Sequence, residues 1–393
     1  MSRVVASYCT TFLKAEMLHI YRQITGLRRW RTFVLARERK CEDRFPMEPG
    51  AVELLPRVRK NFIRRFWLKH VRREPPIVYR GEYGALAGAL ERRAADLMHV
   101  YFGHTGVHLL PFIQRWPRPV VVSFHGMDVQ TRAGDPGYEG RLRELLGSCA
   151  LVLARSESLQ ARLLDLGCDP GKLRMNRTGI PLDAFPFIER QPPADGAWHF
   201  AQACRLIEKK GLDDSLHAFA EFRRHHPASK FTIAGEGPLR GELETLAAQL
   251  GVAHAVQFAG FLSGKELASL YHRSHIFLHP SRITADQNQE GVPNSMLEAM
   301  ATGLPVVATR HGGIPEAVRH AVTGLLGAER DRDALVTHLL EMTAQPGRWL
   351  EMGRAASADM AANFEAAAQV ARLEDCYDEA LDMPCQGRVP RVP

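Results

Sequence analysis

The sequence predicts two α/β domains, each a parallel sheet covered by helices, and three observations lead there. At 393 residues the chain exceeds what one hydrophobic core organises. Short apolar, β-branched runs alternate with helical patterns in both halves, as in successive βαβ units. The alternation breaks at 186–198, PFIERQPPADGAW, where proline, glycine and charge take over and mark an interdomain linker.

In the first half, strands are read at Val4-Val5-Ala6, 32–36, 97–100, 120–124, 151–154 and 172–175, with helices over 83–97 and 138–146. The second half is more regular. Strands at 198–204, 230–234, 256–259, 276–278 and 305–308 are separated by helices over 212–225, 239–250, 263–273 and 293–302, and another helix opens at Ile314-Pro315. Helices near 332–343, 346–360 and 364–381 close the pattern, the last with Phe364, Ala368, Val370 and Leu373 as its apolar positions. The expected domains are 1–185 and 199–363, with a C-terminal helix at 364–384 and a flexible tail at 385–393. A ligand is expected at the carboxyl ends of the strands.

The composition, 45% hydrophobic and 24% charged with 32 glycines, excludes disordered and fibrous classes. No apolar run is long enough to cross a bilayer, and the N-terminal stretch lacks a secretory layout, so a cytoplasmic protein is expected. Seven scattered cysteines without C-x-x-C spacing argue for reduced thiols and against a zinc site.

The net charge of +7 favours an anionic partner. Much of it sits in 57–73, RVRKNFIRRFWLKHVRR, where Phe62, Ile63, Phe66, Trp67 and Val71 recur at helical spacing. Such a helix either lies on an anionic membrane surface or packs Phe62, Phe66 and Trp67 into its own domain. A nucleic-acid binder would need a recognition module or a basic-aromatic groove, and neither is seen.

The chemistry concentrates in EGVPNSMLEAMATGLPVVATRHGGIPEAV, starting at Glu290. Pro293 suits a first helical turn, leaving the N–H groups of Asn294 and Ser295 for an anion. Glu298, one turn further, can accept both hydrogen bonds of a vicinal diol such as ribose. Glu290 precedes the helix in a loop and can accept the hydroxyls of a second sugar. Taken singly, these features also fit a solvated glutamate beside an ordinary βα turn.

Their order resembles the donor-binding signature of retaining GT-B glycosyltransferases of glycosyltransferase family 4. E-x7-E falls on Glu290 and Glu298, EAMA-x-G-x-PVVAT on 298–309, and G-G-x-x-E on Gly312 to Glu316. The resemblance implies a GT-B fold, two Rossmann-like domains facing across a cleft, and extends over most of the chain. It matches R-x-x-x-x-K-G at 205–211, implying that Arg205 and Lys210 hold the donor diphosphate, with Cys204 where a glycine is usual. Gly235 in GEGPL and Phe261-Leu262 match the turn and the base-pocket segment of the donor domain. FHGMD at 124–128 matches F-H-G-x-D, implying that His125 contacts the donor sugar and that Asp128 orders the turn.

Two phrases resemble the bacterial exopolysaccharide, or colanic-acid-type, branch. They are HVYFG at 99–103, with Tyr101 for a second histidine, and CTTFLKAE at 9–16. They imply acceptor-side roles for Thr11, His99, Phe102 and Gly103. The implied activity is transfer of a sugar, with retention, from a UDP- or GDP-sugar to a glycan or lipid-linked glycan at the inner face of the membrane. The nucleotide sugar is a co-substrate, no cofactor is tightly bound, and protein cations rather than a divalent metal hold the phosphates. The alternatives are a sugar-nucleotide epimerase of the same shape and a non-enzymatic binder of anionic ligands.

Overall fold

The computed structural model describes residues 3–14, 17–56, 62–72, 75–129, 137–285 and 290–383. The chain forms two compact units, one from Met1–Gly179 with Ala367–Pro393 and one from Ile180–Ala366.

In the first unit the described strands are β1 (Val4–Phe12), β2 (Arg31–Arg39), β3 (Val52–Leu54), β4 (Leu97–Tyr101), β5 (Val120–Phe124), β6 (Leu151–Ala154) and β7 (Leu173–Met175). They form one sheet, ordered β3-β2-β1-β4-β5-β6-β7, with every pairing parallel. Successive side chains feed opposite faces, as the two-residue period requires. Val4, Ala6, Tyr8, Met98, Val100, Val120 and Val122 join one core, whereas Val5, Leu97, Val121, Leu151 and Leu153 join another. Burial on both faces explains why these strands read as continuous apolar runs.

The second core is completed by Leu373, Cys376, Tyr377 and Ala380 of the terminal helix, Ala366–Asp382. Polar contacts fix that helix on the first unit. The Glu374 carboxylate accepts the backbone N–H groups of Arg28, Arg29 and Trp30 at 2.8, 2.6 and 3.1 Å, and Tyr377 Oη meets His99 Nδ1 at 2.7 Å.

The second unit holds β8 (His199–Ala203), β9 (Lys230–Ala234), β10 (Val256–Gly260), β11 (Ile276–His279), β12 (Val306–Thr309) and β13 (Gly324–Gly327). They form a parallel sheet in the order β10-β9-β8-β11-β12-β13. Phe200, Phe231, Ile233, Ile276, Leu278 and Val307 fill one face, and Ala201, Ala203, Phe277, Val306 and Ala308 the other. In each sheet the strand order reverses beside its first strand, at β1/β4 and at β8/β11, where open α/β sheets bind ligands.

Several expectations are corrected. The helix expected over 83–97 is Glu82–Arg92, because Leu97 already opens β4. Pro293 is the N-cap of helix Asn294–Ala301, with extended backbone, and not its first helical residue. β3 and β13, short and poor in β-branched residues, were not expected. The segment 186–198 belongs to the second unit rather than lying between the two. Arg190, 7% exposed, anchors it by donating to the carbonyls of Ser274, Tyr271 and Thr302. Phe364 likewise packs in the core of the second unit, and its carbonyl accepts the Ile180 N–H at 2.7 Å.

Within the basic run, Phe62–Phe66 is α-helical and Trp67–Val71 forms a wider π turn. Phe66 and Trp67 are not core residues: they are 53% and 46% exposed, beside Ile63 and Val71 at 74% and 62%. Positions 57–61 and 73 of the run lie outside the described residues, as does the expected tail at 385–393.

Candidate functional site

In the second unit the site grows from strand ends. β8 delivers Cys204 and Arg205, and the short turn Glu208–Lys210 follows. Arg205 is exposed, whereas Lys209 and Lys210 are each only 8% exposed. The Lys210 ammonium donates to Glu290 Oε2 at 2.5 Å, and Lys209 Nζ stands 3.8 Å from the same oxygen. Burial opposes ionisation of Glu290, but the two lysines outweigh it and pull its carboxyl down to about 2.

The loop carrying Glu290 is held by its backbone. Its N–H donates to His311 Nε2 at 2.9 Å, and His311 Nδ1 meets the Glu329 carboxylate at 2.6 Å. Nε2 is thus the acceptor, so the network puts the ring proton on Nδ1 and sends it to Glu329. Gly312 lies at φ +54°, and a Cβ there would sit 2.0 Å from the Glu290 carbonyl oxygen. Only glycine allows that approach. Gly235 has the same role opposite Cys204, whose carbonyl oxygen would lie 1.9 Å from an added Cβ.

Ser295, in the first turn of helix Asn294–Ala301, donates its hydroxyl to the Ala203 carbonyl at 2.5 Å and so ties that helix to the end of β8. Asn294 begins the same helix and is partly exposed. Glu298 is 5% exposed, on the inner side of that helix. Phe261, after β10, is 54% exposed, while Leu262 packs against the core. Lys209, His311, Glu329 and the fully buried His279 were missed by sequence reasoning. The only signal for Lys209 was its place beside Lys210, and for His311 its place before the glycine pair.

In the first unit, β4, β5 and β6 deliver Phe102, His125 and Arg155 at successive strand ends. Asp128 orders this edge: its carboxylate accepts the N–H groups of Gly103, His125 and Gly126 at 2.8 to 3.1 Å. Phe102, at φ +77°, lays its ring 4.4 Å from that of His125. Gly103 is required, because a Cβ would strike the Phe124 ring at 2.2 Å.

His125 Nε2 meets Ser123 Oγ at 3.1 Å, while its Nδ1 faces Arg155 at 3.2 Å and His19 at 3.3 Å. Burial, reinforced by the Arg155 charge, holds the His19 and His125 imidazoles well below their usual range. His99 is placed differently from the expectation. It is fully buried, stacked on Tyr101 and bonded to Tyr377, so it supports the terminal helix and presents no group to an acceptor. Thr11 faces Glu38, at 3.5 Å. Among the described residues no group of three or more His, Cys, Asp or Glu side chains is arranged to hold a metal ion.

Comparison with known proteins follows the same division. Residues 19–184 match the family described as Glycosyltransferase Family 4, and residues 186–359 match Glycosyl transferases group 1. The amylovoran biosynthesis glycosyltransferase AmsK of Erwinia amylovora is 32% identical over 252 residues, which span 64% of this chain and 62% of that protein. A glycosyltransferase structure from Rickettsia africae superposes over 97% of this chain and 99% of its own, with a TM-score of 0.76 and 15% identity. HepE of Anabaena, solved with UDP, superposes over 96% and 99%, with a TM-score of 0.74 and 17% identity.

Proposed function

The chain belongs to the GT-B glycosyltransferases, and from that membership we propose that it transfers a sugar, with retention, from a nucleotide sugar to a hydroxyl of a growing cell-surface glycan. The observation that carries the reading is the buried Lys210–Glu290 pair at the end of β8, beside exposed Arg205. An ammonium has three N–H donors, so Lys210 can keep Glu290 and still meet a phosphate oxygen. As the bond from the anomeric carbon to the phosphate oxygen breaks, its electron pair passes to the diphosphate. Lys210 and the planar Arg205 fork stabilise that charge without moving far.

The acceptor oxygen forms its new bond on the face the phosphate leaves, and its proton goes to the departing phosphate oxygen. Glu290 is already ionised and ion-paired, so it positions hydroxyls of the transferred sugar and does not act as a proton donor. Glu298 is assigned the ribose, Gly235, Asn294 and Ser295 the support of the phosphates and their helix, and Phe261 and Leu262 the base. On the first unit, His125 is assigned a hydroxyl of the sugar, with Phe102 and Gly103 shaping the acceptor side.

The amylovoran relative supports a place in polysaccharide synthesis, and the acceptor proposed there is a glycan or a lipid-linked glycan. We also assign the exposed Ile63, Phe66, Trp67 and Val71, with Arg65, Lys69 and Arg72 among them, to an anionic membrane surface. No described helix is long and apolar enough to cross a membrane.

A screen of UDP-, GDP- and ADP-sugars for hydrolysis and transfer, with the anomeric configuration of the product read by NMR, tests the reaction. Absence of binding and turnover with all of them would overturn it. Sedimentation with anionic liposomes, weakened by salt and by neutralising Arg64, Arg65 and Lys69, tests the membrane assignment.

A further inference from the structure

Arg155, directly after β6, is a cation at the strand ends of the first unit that the proposed reaction leaves unused. Its NH1 lies 3.2 Å from both His19 Nε2 and His125 Nδ1, and its NH2 donates to the Thr178 hydroxyl, which follows β7. All three partners are neutral acceptors. Among the described residues no carboxylate pairs with Arg155, and two of its five N–H groups have no acceptor. Asp128 is the acid whose charge reaches it, but both oxygens of Asp128 are taken up by backbone N–H groups. The other charged or titratable groups acting on the imidazoles are Arg22, His99 and His104, none of them anionic.

The histidines add a second sign. Because Arg155 donates to His19 Nε2, the ring proton lies on Nδ1, which is buried and has no acceptor among the described residues. A partly exposed guanidinium held among neutral groups keeps an uncompensated charge until a counter-charge arrives. Burial lowers the Arg155 pKa to about 10, which still leaves it charged at neutral pH.

We propose that Arg155, with Thr178, His19 and His125, is an oxyanion subsite that binds a carboxylate or phosphate group of the acceptor. The subsite rests on the glycosyltransferase reading and narrows it to acceptors that carry a negative charge. The charge has two sources, a uronic-acid carboxylate in the glycan or the phosphate joining the glycan to its carrier.

The test titrates the full-length protein with methyl glucuronide, inorganic phosphate and neutral methyl glucoside, reading the imidazole NMR signals of His19 and His125. At least one anion binds about tenfold more tightly than the glucoside and shifts both rings. Glucuronide alone identifies the uronic acid, and phosphate alone the carrier linkage. Arg155→Gln removes the preference, Arg155→Lys restores part of it, and Thr178→Val weakens it several-fold. An unchanged signal from buried His99 reports that each variant is folded.

Equal binding of all three probes, or a preference that survives Arg155→Gln, overturns the subsite and leaves Arg155 as a positioning residue for the two imidazoles. Titration of the same samples with UDP, GDP and ADP keeps the two readings apart. Failure there removes the nucleotide-sugar reading, whatever the anions do at His19 and His125.

Discussion

Replacing Lys210 by methionine inverts the pH response of the second unit. In the native protein the Glu290 carboxyl lies at about 2 instead of its ordinary 4.5. That difference, at about 1.4 kcal/mol per pH unit, makes the ionised carboxylate worth about 3 kcal/mol at neutral pH. A depressed carboxyl supplies its stability above pH 4.5 and loses it as the pH falls toward 2. In Lys210→Met the burial of Glu290 is opposed mainly by Lys209, at 3.8 Å. The carboxyl then rises above 4.5, and stability falls as the pH rises through that value.

The variant should thus be at least about 3 kcal/mol less stable at pH 7 and still about 2 kcal/mol less stable at pH 3.5, with parity approached only as the pH falls toward 2. Amide exchange at β8 and β11, followed from pH 3.5 to 8, reads the second unit alone. Turnover of the folded protein should fall about a hundredfold if Lys210 meets the diphosphate. Parallel pH profiles for variant and native protein would refute the ion-pair argument, and undiminished turnover would refute the assignment to phosphate.

Gly312→Ala, with its Cβ 2.0 Å from the Glu290 carbonyl oxygen, should cost at least ~2 kcal/mol and weaken binding of a nucleoside diphosphate, whereas Gly291→Ala, which meets nothing, should do neither. Glu374→Ala leaves three backbone N–H groups without their acceptor and should cost ~2–3 kcal/mol, read as faster proteolysis of the terminal helix. The first unit should weaken as the pH falls below 6.5. His19 and His125 stay neutral in the native state but charge on unfolding, at up to about 1.4 kcal/mol per pH unit for each ring, and denaturant midpoints from pH 8 to 5 measure it. Arg155→Gln should flatten that slope.

The sequence by itself determined the sheets and the donor signature. Strands buried on both faces need apolar residues at every position, so β1, β4, β5 and β6 were legible as runs. The second unit was clearer still because glycines and helix starts recur there at fixed offsets from Glu290. Local spacing also drew notice to Glu290 and Gly312, and short motifs that resemble the family's drew it to His125 and Lys210, because a strand end, a helix start and a glycine turn are short-range events.

Only the tertiary structure decided which side chains meet. Lys210 and Glu290 are 80 positions apart, Arg155 and His19 136, and His99 and Tyr377 278. Parallel sheets bring strand ends together through crossovers whose lengths leave no periodic trace. For the same reason His99 read as a site residue when it is a buried support, and Arg155 passed unnoticed. What marks Arg155 is a missing counter-charge, and that is visible only once the chain has chosen its neighbours.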